Sequence, residues 1–194
     1  MSTHSPAHFR SLAEVQHRLR DNEPKAGTSY QLARMEQAVA KLGHPERRYR
    51  VVHVGGTSGK GSTCQMIYSI LQAAGYSVGI YTSPALVTPL ERITVNDKAI
   101  SQRTFVRMAN DLWPIVRDFN LTHFEFFTLV AFQYFAQRQV DYAVIEVGVG
   151  GQFDATTVVQ PTVAIITEIG LDHTELLGKT VQTIAQDKQT IIKP

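Results

Sequence analysis

The feature that most constrains this chain is a glycine-rich heptapeptide, Gly56-Thr57-Ser58-Gly59-Lys60-Gly61-Ser62, set between two segments of different periodicity. Before it, Arg50-Val51-Val52-His53-Val54 is short and β-branched, as suits a strand. After it, Ile67, Ile70, Leu71 and Ala74 recur at helical spacing, which predicts a helix over Ser62–Ala74 with those residues on its apolar face. A strand that passes through glycines into a helix leaves backbone N–H groups free to converge on an anion at the positive end of the helix. Lys60 can then reach terminal phosphates. The loop departs from the common phosphate-loop pattern: Gly61 stands where Ser or Thr is usual, and Val54 where the first Gly is usual. Gly75 closes the helix and Val78-Gly79-Ile80-Tyr81 reads as a strand, so residues 50–82 are expected to form a βαβ unit.

The flanking segments extend this pattern. Ser29 to Gly43 places Leu32, Met35, Val39 and Leu42 on one helical face. Arg92 to Ile100 alternates around Ile93 and Val95 with Asn96-Asp97 as turn residues, which predicts a hairpin. Ser101 can cap a helix carrying Phe105, Met108, Leu112, Ile115 and Phe119, with Pro114 expected to kink or interrupt it. Thr122 and Glu125 have capping-box spacing ahead of a further helix through Phe127, Val130, Ala131 and Tyr134. Tyr142–Val147 and Val163–Thr167 are short continuous apolar runs, read as central parallel strands, and Thr180–Ile191 as a last amphipathic helix. The fold class that follows is α/β: a mostly parallel sheet flanked by helices, resembling nucleotide-binding phosphate-loop domains.

Composition narrows the function classes. The 194 residues suit one domain, since domains usually run to about 100 to 200 residues. Lys and Arg total 19 against 17 Asp and Glu, so a net charge of +2 gives no broad electrostatic reason for a nucleic-acid partner. The single Cys64 cannot form an internal disulfide, the N-terminal residues lack the apolar stretch of a secretory signal, and no run is long enough to span a bilayer. A cytoplasmic protein without a membrane partner is expected. One side chain needs a partner on physical grounds. Glu146 ends an otherwise buried strand, so its charge requires a cation or hydrogen bonds.

Several separated motifs, in order, resemble the folylpolyglutamate synthase and dihydrofolate synthase family of the Mur ligase superfamily. They are Leu42-Gly43 with Pro45, His53 through Thr63, Thr82-Ser83-Pro84, Glu91-Arg92-Ile93, Glu146-Val147-Gly148 through Asp154-Ala155-Thr156, Ile169 through Thr174, and Ile191-Ile192-Lys193-Pro194. The resemblance implies an ATP-dependent ligase that adds L-glutamate to the carboxylate of a reduced folate through an acyl phosphate. It implies ATP contacts from Gly56, Thr57, Ser58, Gly59, Lys60, Gly61, Ser62 and Asp154, and Mg²⁺ ligands in Ser83, Glu146 and His173, with two ions in all. Lys60, His173 and Lys188 are implied as catalytic, Lys188 as a lysine carbamylated by CO₂. Glu125 also matches a family position, although its spacing alone makes it a helix cap. The family pattern often has His, Arg and Asn where this chain has Ala85, Gln152 and Thr157, departures that bear on substrate contacts more than on ATP binding.

The family's enzymes are about twice this length, so the resemblance implies an N-terminal ATP-binding part, monomeric in full-length form. The C-terminal glutamate-binding domain and the last sheet strands are expected to be missing, and the fragment to be inactive alone. The other readings are dihydrofolate synthase, a Mur-type peptidoglycan ligase and a catalytically inactive ATP-binding module of the same fold. Gly-Lys-Gly-Ser in place of Gly-Lys-Thr disfavours the peptidoglycan ligase.

Overall fold

In the computed structural model, which describes residues 8–21 and 32–193, the phosphate-loop segment lies at the middle of a six-stranded sheet. The strands are β1 (Arg50–Gly55), β2 (Val78–Tyr81), β3 (Ile93–Val95), β4 (Lys98–Ala99), β5 (Tyr142–Glu146) and β6 (Val163–Ile166), in the order β4-β3-β2-β5-β1-β6. Strands β2, β5, β1 and β6 run parallel, whereas β3 and β4 are antiparallel. The register pairs Val54 with Glu146 and Gly55 with Ile166. The loops that follow β1, β5 and β6 therefore start level with one another at one rim of the sheet. Ligands of open α/β sheets bind outside such carboxyl ends.

The helices are α1 (Leu12–Asp21), α2 (Leu32–Lys41), α3 (Lys60–Ala73), α4 (Gln102–Phe119), α5 (His123–Gln137), α6 (Thr174–Leu177) and α7 (Val181–Lys188). Alternate strand residues serve opposite faces of the sheet. Val51, Ala143 and Ile145 join the larger core under α1, α2, α4 and α5, while Val52, Val54 and Val144 pack with Cys64 and Tyr68 of α3. Helix α5 is apolar nearly all round and buries Phe126, Phe127, Leu129, Val130, Ala131, Phe132 and Phe135. Its Thr122–Glu125 capping box is present on both sides, as the spacing predicts. The α2 prediction holds over Leu32–Lys41, and residues 29–31 lie outside the described residues. Among the described residues no helix is long and apolar enough to cross a membrane.

Several expectations change in three dimensions. Strand β5 separates β1 from β2, so the βαβ unit of residues 50–82 spans a gap filled from later in the chain. Among the described residues β6 pairs on one side only, with β1, and Val163 is 48% exposed. On α3 the buried positions are Cys64 and Tyr68, with Ile67 and Leu71 partly buried. Ile70 is 66% exposed, because the start of α3 at Lys60 turns the Cys64–Tyr68 stripe toward the sheet. Helix α4 continues through Pro114, whose neighbours Leu112, Trp113, Ile115 and Val116 are all buried and hold it against the core. Helix α1, which the sequence reading leaves unassigned, buries Val15 and Leu19, and the chain just before it is anchored by a reciprocal pair: Phe9 N donates to Asn110 Oδ1 (2.7 Å) and Asn110 Nδ2 to Phe9 O (3.0 Å). The last helix ends at Lys188 and tightens into a 3₁₀ turn over Gln189–Ile191.

One close approach ties α5 to the sheet. A Cβ at Gly79 would lie 2.6 Å from the Phe135 ring, so β2 accepts that ring only because it has no side chain there. Gly79→Ala is expected to destabilise the fold by about 1–3 kcal/mol through overpacking. Urea unfolding measures this, and an unchanged midpoint would show that α5 can shift at no cost.

Candidate nucleotide and metal site

The phosphate loop is shaped by what packs against it. Gly56 has φ 141°, and a Cβ there would collide with the Thr167 hydroxyl, so the position admits only glycine. The segment after β6 clamps the loop along its length. Thr57 N donates to Glu168 O (2.7 Å), Gly170 N to Thr57 Oγ1 (3.1 Å), and Thr167 Oγ1 to Ser58 O (2.7 Å). Ser58 Oγ donates to Glu168 Oε2 in a short contact. Gly59, at φ 78°, is the N-cap of α3, whose first turn begins at Lys60. The backbone N–H groups of that turn have no partner within the helix, which makes its start an anion site.

Two lysines converge on the same loop carbonyl. Lys60 Nζ donates to Gly56 O (3.0 Å) and Thr57 O (3.1 Å), and Lys188 Nζ donates to Gly56 O at 3.1 Å. Lys188 is only 2% exposed. Burial pushes its pKa below the lysine range, and the Lys60 charge pushes in the same direction. Its placement from the end of α7 is the least legible feature in the sequence, where a helical lysine reads as solvated surface.

Glu146 closes the site from the β5 side. Ser83 N donates to Glu146 Oε2 (2.9 Å), and both carboxylate oxygens lie 3.7–3.8 Å from where a Gly61 Cβ would be. Ser83, Glu146 and the start of α3 thus come together, with Gly61 leaving the carboxylate room. Burial raises the Glu146 pKa, opposed by the Ser83 amide and by Lys60. His173 sits at φ 45° ahead of α6, half exposed, with Nε2 3.5 Å from Asp172 Oδ1. Among the described residues no three His, Cys, Asp or Glu side chains form a ready-made metal cluster.

Asp154 and Glu125 have partners within the protein. Asp154 Oδ2 accepts Gly148 N and Val149 N, both at 3.0 Å, and Oδ1 accepts Thr156 N (2.9 Å) and Thr156 Oγ1 (2.5 Å). All of its recorded bonds lie within the loop after β5, so it holds that loop together. Ser62 is exposed in the first turn of α3. Glu125 caps α5 and pairs with Arg34 Nε at 3.2 Å. Sequence reasoning missed Glu168 and Thr167, because only packing shows that the β6 loop clamps the phosphate loop. It also missed a cleft of about 760 Å³, lined by Leu32, Val149, Gln152, Phe153, Leu177 and Asp187. The apolar residues at its mouth, such as Phe153 at 52% exposed, carry no motif.

Comparison with known proteins agrees with this geometry. Residues 119–194 match the Mur ligase middle domain. A dihydrofolate synthase/folylpolyglutamate synthase of Bacillus subtilis is 46% identical over 176 residues, covering 87% of this chain and 41% of the relative. The fold superposes on an Escherichia coli FolC structure in complex with DHPP and ADP, with TM-score 0.90 and 37% identity, over 96% of this chain and 45% of that one. It also superposes on an FPGS-AMPPCP-folate complex, with TM-score 0.83 and 41% identity, over 93% of this chain and 46% of that one. The chain spans about two fifths of the length of the curated relative, 41%. It belongs to the folylpolyglutamate synthase and dihydrofolate synthase family of the Mur ligase superfamily.

Proposed function

We propose that this chain is the ATP-binding domain of a ligase that joins L-glutamate to the carboxylate of a reduced folate. The observation that carries the reading is the meeting of Glu146, Ser83, Lys60 and Lys188 around the loop that opens α3. A folate carboxylate oxygen attacks the γ-phosphorus of ATP, forming an acyl phosphate and releasing ADP. The glutamate amine then attacks the acyl carbon, phosphate leaves, and the amine proton is lost. Phosphoryl transfer depends on positioning and charge neutralisation, which Lys60, the amides of Gly56–Ser62 and the head of α3 supply. The relatives carry both family names and one neighbour is a complex with DHPP and ADP, so dihydropteroate is the second acceptor to test.

The donor set fits Mg²⁺. It is an oxygen-seeking ion commonly held by one or two carboxylates together with substrate phosphates, and when bound it neutralises phosphate charge. The Glu146 carboxylate and Ser83 hydroxyl would hold it. His173 is kept as a ligand to a second ion, supported by its place on the loop that clamps the phosphate loop. The cleft lined by Val149, Gln152 and Phe153 suits a flat aromatic acceptor. A cytoplasmic, monomeric full-length enzyme completes the proposal.

Lys60→Ala is expected to weaken Mg²⁺-dependent ATP binding by about a hundredfold, read by calorimetry, through loss of a charge-assisted phosphate contact. Retained affinity would remove the phosphate loop from the reading. The 194 residues alone are expected to bind ATP without glutamate-dependent ADP release, because the curated relative is more than twice as long, with 41% of it matched. Turnover by the isolated chain would refute that. Lys188 is proposed to be carbamylated: its neutral amine adds CO₂ and releases a proton. Occupancy should therefore rise with pH through the lowered amine pKa. ¹³C-bicarbonate labelling read by NMR should show a carbamate carbon that disappears in Lys188→Arg. A spectrum without it at any pH would exclude the modification.

A further inference from the structure

His53 lies at the middle of the sheet, three positions before Gly56, and is fully buried. Its Nε2 is 2.8 Å from Thr156 Oγ1, and Thr156 Oγ1 is 2.5 Å from Asp154 Oδ1. Asp154 in turn holds the Gly148 and Val149 amides. These bonds form one continuous buried chain from the strand that carries the phosphate loop to the loop that carries Val149, Gln152 and Phe153 of the cleft. Its proton order follows from counting. Asp154 receives three amide N–H groups, so its carboxylate acts as an acceptor, and the single Thr156 hydroxyl proton points to it. Thr156 Oγ1 must then accept from His53, which fixes the Nε2–H tautomer and leaves Nδ1 as a bare lone pair. That agrees with Nδ1, which is buried and has no partner. Burial, with Lys193 nearby, keeps the ring neutral by lowering its pKa to about 3.

We propose that His53 is a positioning residue for acceptor binding: through Thr156 and Asp154 it sets the Gly148–Phe153 loop against the cleft, while taking no part in phosphate contact. The proposal rests on the reading of the cleft as the acceptor site. Gly151 shows why the loop position matters: a Cβ there would lie 2.6 Å from Asp187 O and 3.0 Å from Lys188 Cα. A small shift of the loop would therefore disturb the cleft wall formed by Asp187. A histidine that merely filled space could be replaced by a hydrophobe without consequence for that loop, whereas one that acts through its Nε2–H could not.

The test uses the 194-residue chain with AMPPCP and folate as probes, and hydrogen exchange at the Gly148 and Val149 amides as a third readout. Thr156→Val cuts the chain of bonds at nearly constant shape, and His53→Leu removes its donor. Both are expected to keep AMPPCP affinity within about twofold, to weaken folate binding by about tenfold and to speed exchange at Gly148 and Val149. His53→Gln, which can again present a donor to Thr156, is expected to recover most of the loss. ¹⁵N NMR of the unaltered chain should show the Nε2–H tautomer of His53. Unchanged exchange at both amides in Thr156→Val would overturn the proposal, as would an equal fall in AMPPCP and folate affinity. Should the unaltered chain bind AMPPCP but not folate, the cleft reading fails and with it the acceptor role. The exchange data would still decide the bond chain on their own. If His53→Leu does not fold, Thr156→Val and His53→Gln carry the same decision.

Discussion

The Gly56 carbonyl is the point on which the rest of the site depends, because the Nζ atoms of Lys60 and Lys188 both donate to it, at 3.0 and 3.1 Å. Burial, and then the Lys60 charge beside it, lowers the Lys188 pKa and so favours its neutral amine. The arrangement persists because the surrounding backbone is over-determined. Thr167 excludes any side chain at Gly56, and Glu168 and Gly170 hold Thr57 from the other side. The outcome is positive charge concentrated at the head of α3, with Glu146 facing it across Gly61. Anionic phosphates fit the first, and a hard cation fits between phosphate and carboxylate.

The sheet makes this arrangement without any single contact being strong. Parallel pairing of β1 with β5 on one side and β6 on the other puts the phosphate loop, Glu146 and Thr167 at the same level. Strand β2 on the far side of β5 delivers Ser83 to Glu146. Helix α5 fixes the sheet from behind through ring packing of Phe135 into the space at Gly79, and its cap residue Glu125 also pairs with Arg34. One set of three buried polar side chains is linked in the same way. His53, Thr156 and Asp154 satisfy one another in series, and only Nδ1 of His53 is left over.

Much of this was legible in the residues and some was not, for reasons that differ by element. The hairpin at Asn96-Asp97 follows from turn residues, and both adopt positive φ as such a turn demands. The Thr122–Glu125 cap follows from local bonding, and the start of α3 from the glycine loop. Helix α3 shows the limit of periodicity: two apolar stripes overlap on it, and the sheet selects Cys64 and Tyr68 while leaving Ile70 in solvent. At Pro114 the loss of one helical hydrogen bond was outweighed by burial of the flanking residues of α4.

By itself the sequence determined the order of strands and helices, the anion-binding loop and the motifs that place the chain in its family. Those are properties of neighbours along the chain, set by backbone conformation, caps and spacing. Only the tertiary structure decided that β5 lies between β1 and β2, that Ser83 meets Glu146 from 63 positions away and that Lys188 reaches Gly56 across 132. It likewise decided that Asp154 turns inward to its own loop and is linked to His53. Such pairings depend on which surfaces are buried together. Burial sets both the partner a polar group must find and the direction in which its pKa moves, and no local pattern encodes either.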